Sequence, residues 1–149
     1  MDRILGIDLG DVRTGYAISD ELGLFASTLG VIEGDDEAVL NHVVERTEEF
    51  EIITVVVGLP LSLDGGEGPR CDRTREFCGK LRDRLPDLKV VEWDERLSTV
   101  EAESHGKRRD GKGPGIDARA AQVILQRYLN WRYKNADTGP ELDFGDWEF

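Results

Sequence analysis

The chain has 149 residues, enough for one domain with a buried core, and its 39% apolar and 34% charged content suits a soluble globular protein. No apolar run approaches the roughly 20 residues a membrane-crossing helix needs, and no basic-then-apolar leader opens the chain, so a cytoplasmic protein without membrane attachment is expected. The net charge of −12 argues against a generic nucleic-acid binder, whose affinity comes mainly from cations on phosphate. That charge is unevenly spread. Residues 33–51 carry eight acids against one base and residues 135–149 five acids and no base, which together account for the whole excess. Residues 70–84 hold six Arg or Lys against three acids, and Lys107, Arg108, Arg109, Lys112 and Arg119 form a second basic group. Such runs are either solvated helix faces or one side of a bipolar surface.

In chain order, residues 3–9, 14–19 and roughly 23–32 read as three strands joined by short turns, hence an antiparallel meander. Residues 36–50 switch to helical spacing, with Leu40, Val43, Val44, Thr47 and Phe50 on one face and Asp35 or Asp36 as the cap. Residues 52–57 are a β-branched run apolar on both faces, the pattern of a central, parallel strand. A glycine-rich loop follows from Gly58, and Pro69 suits the first turn of the next helix, whose inner face is Thr74, Phe77, Cys78, Leu81 and Leu85. Cys71 and Cys78 share that helix but are too far apart along it to bridge, so packing thiols are expected and a zinc site is not. Residues 88–93 read as a further strand, Ser98 to Glu101 as a capping box opening a short helix, and Gly106 to Gly115 as a basic, glycine-rich loop. A last helix spans about residues 117–133, with Ala121, Ile124, Leu125 and Tyr128 inward, and Trp93 and Trp131 are assigned to the core. The order predicts an α/β fold, a mixed five-stranded sheet with helices on both faces over residues 1–134, followed by an acidic tail over 135–149.

Asp8 interrupts the apolar run from Ile4 to Leu9, where a carboxylate is costly to desolvate unless a cation meets it. Gly6 and Gly10 beside it let a ligand approach the backbone. Ligands of open α/β sheets sit beyond the carboxyl ends of the parallel strands. Asp8, the Asp94-Glu95 pair and Asp117 can converge there, and clustered carboxylates repel unless a divalent metal screens them. Each acid also has a plainer assignment. Asp117 can be a helix cap, Asp94 a turn residue, and Glu95 the partner of Arg96 or Arg119.

The blocks Gly6 to Gly10 with Arg13 and Gly15, Val57 to Leu61, Asp64 to Arg70, Asp94 to Thr99 and Asp117 to Leu125, taken in order, resemble the YqgF family. Its members are called Holliday-junction-resolvase-like proteins or pre-16S rRNA nucleases, and the likeness covers about residues 3–130. The resemblance implies an RNase H-like fold and a cytoplasmic nuclease that matures the 5′ end of precursor 16S rRNA in ribosome biogenesis. It implies Mg²⁺ or Mn²⁺ held by Asp8, Glu95 and Asp117, with Arg13, Arg70 and Arg96 as candidates for phosphate contacts. Precursor rRNA, alone or in ribosomal precursor particles, is the expected partner of a monomer or homodimer. Asp11-Val12 stands where relatives commonly have a lysine before Arg13. Three alternatives stay open: a Holliday junction resolvase acting in DNA recombination, a non-catalytic nucleic-acid-binding module, and an actin- or sugar-kinase-type ATP-binding protein. The last is opposed by the single lobe. Whether Asp94 or Glu95 faces the metal is also open.

Overall fold

The computed structural model describes residues 3–10, 12–60, 69–94 and 115–136, the side chains of residues 69–70, 115–117 and 135–136 excepted. Its strands are β1 (Ile4–Asp8), β2 (Arg13–Ser19), β3 (Ala26–Glu33), β4 (Thr54–Leu59) and β5 (Lys89–Asp94). They form one sheet in the order β3-β2-β1-β4-β5. β1, β2 and β3 are the expected antiparallel meander, while β4 and β5 run parallel to β1. The helices are α1 (Asp36–Glu49), α2 (Pro69–Arg84) and α3 (Gly115–Ala136). α3 reaches two residues into the stretch read as the tail. The remaining tail, the loop from Leu61, the helix opened by Ser98 and the basic stretch after Gly106 lie outside the described residues.

Alternation of side chains along the strands divides the core between the two faces of the sheet. Leu5, Ile7, Val55 and Val57 pack with Val39, Leu40 and Val43 of α1 and Phe77, Cys78 and Leu81 of α2. Ile4, Val56 and Trp93 pack on the other face with Ala121, Ile124, Leu125, Tyr128 and Leu129 of α3. β4 is buried along its whole length, as a parallel strand covered on both sides should be. Each such fully buried Val, Leu, Ile or Phe contributes about 1.5–3 kcal/mol, so both layers are needed to hold the sheet.

Two strands start two or three residues later than the reading of the sequence placed them. β3 starts at Ala26 because the Asp20 carboxylate accepts the backbone N–H groups of Leu24 (2.8 Å) and Phe25 (3.2 Å), closing residues 20–25 into a turn. Those bonds, the Leu24 one foremost, hold Asp20 below the usual carboxylate pKa. β4 starts at Thr54 because the chain reverses after α1. Glu51 adopts a left-handed φ of 56°, and the Ile52 N–H donates to the Thr47 carbonyl at 2.8 Å. Ile52 still enters the core. At the other end of α1, Asp35 is the cap, accepting from the Ala38 N–H at 2.9 Å.

The two cysteines are free and buried, and burial pushes the Cys78 thiol up to about 12, as fits a packing residue. His42 stands edge-on to Tyr16 with its Nε2 3.1 Å from the phenolic oxygen. Burial lowers its pKa, Arg46 adds to the effect, and Glu45 and Glu49 oppose it. A histidine held below its unfolded value stabilises the fold above the ordinary His range, and that contribution is lost as pH falls through the lowered value. Thermal unfolding from about pH 7 to pH 5 should therefore show a steeper fall in Tm for the wild type than for His42→Gln. Identical slopes would remove His42 from the account. No described helix is long and apolar enough to cross a membrane.

Candidate active site

The three parallel strands finish at one edge of the sheet, with Asp8 ending β1, Leu59 ending β4 and Asp94 ending β5. The register pairs Ile7 with Val57, Gly58 with Trp93 and Leu59 with Asp94. Continued by one residue, it sets Asp8 level with Gly58 and Trp93. Ile7 belongs to the core under α1 and α2, whereas a side chain on Gly6 would meet α3, so alternation turns Asp8 toward α3. Asp8 is half-buried there. Trp93 also lies on the α3 side, while Glu92 meets Arg75 and Arg82 of α2. Asp94 therefore faces α2, away from Asp8. Glu95, the next residue, lies outside the described residues, as does Arg96.

α3 comes close to β1 because the strand has a glycine where the helix crosses. A Cβ on Gly6 would stand 2.7 Å from the Leu125 Cβ and 3.3 Å from the Ala121 carbonyl oxygen. One helical turn before Ala121 is Asp117, and two residues beyond Gly6 on the same face is Asp8. The contact between Gly6 and Ala121 thus brings the elements carrying these two acids together. α3 begins at Gly115, so Asp117 lies within the first turn and not at the cap. Its side chain is outside the described set. Among the described residues, no three His, Cys, Asp or Glu side chains gather to hold a metal.

The turn after β1 is held from three directions. The Gly10 N–H donates to Thr14 Oγ1 at 3.2 Å, and the Gly34 N–H donates to the Val12 carbonyl at 3.3 Å. From α2, Arg73 donates Nη2 to the Gly10 carbonyl at 2.6 Å and grips the Asp36 carboxylate through Nε and Nη2 at 3.0 and 2.6 Å. Both partners of this forked pair are about two-thirds buried, with 28% and 33% of their side chains exposed. The sequence reading counted Arg73 only as part of a basic run. The available signal was an arginine in the second turn of a helix that follows a glycine-rich loop. Because Asp35 caps α1, Asp36 is left to the arginine.

The other cations are arranged differently. Arg13 opens β2, exposed, beside Glu33 of β3. Arg70 lies in the first turn of α2, with its side chain outside the described set. Arg75 and Arg82 both reach Glu92, at 3.6 and 3.3 Å, and Arg84 donates to Asn41 Oδ1 at 3.1 Å. Part of the positive charge of α2 is thereby answered within the fold. Trp93 is buried, edge-on to Tyr128 at 5.7 Å and tilted against Trp131 at 6.1 Å, a core cluster as expected.

A family model described as RuvX, Holliday junction resolvase, matches residues 2–131. A protein named "Putative pre-16S rRNA nuclease" from Acetivibrio thermocellus is 43% identical over 138 residues, covering 89% of this chain and 98% of its own. One of the same name from Halothermothrix orenii is 44% identical, covering 89% and 97%. In fold, the chain is similar to Thermus thermophilus RuvC in complex with a Holliday junction substrate, with TM-score 0.57, 13% identity and coverage of 89% and 96%. It is also similar to the yeast mitochondrial Holliday junction resolvase, with TM-score 0.54, 10% identity and coverage of 89% and 80%.

Proposed function

We propose, because this chain belongs to the RuvX family, that it matures the 5′ end of precursor 16S rRNA with Asp8, Glu95 and Asp117 as its acidic centre. It is a nuclease, a hydrolase of phosphodiester bonds on an RNase H-like sheet. The observation that supports the reading is the seating of α3 on β1 at Gly6, since Asp117 stands one helical turn before Ala121 and Asp8 two residues after Gly6. Asp94 faces the other layer, so Glu95 is taken as the third acid.

This donor set fits a hard divalent cation, since carboxylate oxygens are the ligands Mg²⁺ and Mn²⁺ prefer and no thiol or imidazole is among them. When bound, such an ion supplies positive charge against the phosphodiester and lowers the pKa of water. The chain's own residues do the rest. The half-buried Asp8 keeps its carboxylate where little water competes for it. Arg13, with Arg70 and Arg96, offers guanidinium groups that grip phosphate oxygens in pairs. None of these groups reads bases, so cut-site choice would come from RNA shape and backbone contacts. The substrate would be met in the cytoplasm, free or within precursor particles.

A second reading, cleavage of four-way DNA junctions, is favoured by the description of the family itself. The two are separated by offering the enzyme, with Mg²⁺, an RNA spanning the 5′ end of precursor 16S rRNA and a synthetic four-way junction. Trimming of the RNA that stops with EDTA is the expected result. Cutting of the junction with the RNA spared would replace the first reading by the second. Binding that survives EDTA with neither substrate cut would make the chain a non-catalytic module.

A further inference from the structure

We infer that Arg73 is a positioning residue for the nuclease reaction, holding the β1–β2 turn, and through it Asp8, against the start of α1 and the second turn of α2. The inference rests on the reading of Asp8 as part of the acidic centre. Among the described residues, its guanidinium ties α2, which follows the glycine-rich loop after β4, to the Gly10 carbonyl two residues after Asp8 and to the Asp36 carboxylate opening α1. A planar fork with fixed donor directions restrains both distance and orientation, which an ammonium on a flexible stem does not. The Gly10 carbonyl lies in a turn too tight for a ladder of strand hydrogen bonds, and a carbonyl there is expensive to leave unmet once partly buried. Arg73 meets it at 2.6 Å while its charge is balanced by Asp36 at 2.6 Å. The cation therefore organises the turn without adding net charge behind the acids.

The pair lies under the sheet on the side of α1 and α2, opposite the side that Asp8 faces, so Arg73 acts on the backbone and not on substrate. Displacing a reacting group by about 1 Å costs on the order of 10²-fold in rate. Loss of this clamp should appear in kcat, with KM for RNA little changed.

The test measures cleavage of the same 5′-leader RNA by Arg73→Lys, Arg73→Ala, Asp36→Asn, Arg84→Ala and Asp8→Asn. Arg73→Lys and Asp36→Asn are expected to lose about 10- to 100-fold in kcat, with KM within about threefold. Millimolar guanidinium, far below unfolding concentrations, should restore part of the activity of Arg73→Ala. Arg84→Ala removes an exposed charge from the same helix and should keep its kcat. A structural role alone would lower Tm but give neither the kcat-only loss nor the rescue. If Asp8→Asn is dead while Arg73→Lys and Asp36→Asn keep wild-type kcat, the positioning role is wrong and the acidic centre stands. If Asp8→Asn stays active, the acidic centre fails and this inference fails with it.

Discussion

Asp8→Asn should reduce cleavage of precursor RNA by at least about 10²-fold, the loss typical of removing one charge-stabilising group from an active site, while Tm stays level or rises. The substitution preserves shape and removes one negative charge from a half-buried strand end. If Glu95 and Asp117 share that end, mutual repulsion is part of what the folded state bears, and neutralising one member relieves it. Activity and stability then move in opposite directions, which is the signature of a site shaped for catalysis at some cost in stability. Asp94→Asn is the matched comparison, because alternation along β5 turns Asp94 toward α2. It should retain most activity. Equal losses for Asp8→Asn and Asp94→Asn, both tracking Tm, would mean that the two are structural acids at strand ends. The acidic centre would then have to be abandoned.

Much of this arrangement was readable from residue order because it depends on local period. The run from Ile52 to Val57 has no polar face, and β4 is buried on both sides. Asp8 stood out as a carboxylate in an apolar strand, and Asp117 shares a helical stripe with Ala121, Ile124, Leu125 and Tyr128, all of them buried. What escaped the reading is tertiary. That α3 crosses β1 at Gly6 follows from packing between residues more than a hundred positions apart, which no local pattern encodes. Which layer Asp94 faces follows from the layer that Trp93 enters, and a large aromatic residue suits either. Asp20 closing its own turn and Arg73 linking two turns are single side chains acting at a distance. Inside a charge run, such a residue looks like any solvated neighbour.

The tightest contact near Asp8 is also the least forgiving. A Cβ on Gly10 would collide with the Arg13 carbonyl group, so the obstacle is backbone and no side-chain rotation relieves it. Gly6 is a milder case, since its nearest obstacle is the Leu125 Cβ at 2.7 Å and α3 can shift slightly to admit a methyl group. Gly10→Ala must reopen the turn. That would part Gly10 from Thr14 Oγ1 and from the Arg73 guanidinium. The expected cost is about 3 kcal/mol, in the upper part of the range for single substitutions, and a domain of this size then melts on the order of 10 °C lower. Thermal unfolding followed by circular dichroism measures it, and Gly6→Ala should fall by less. A Gly10→Ala protein melting with the wild type would mean that the turn relaxes at no cost. Asp8 would then need no rigid frame, and the clamp by Arg73 would lose its purpose.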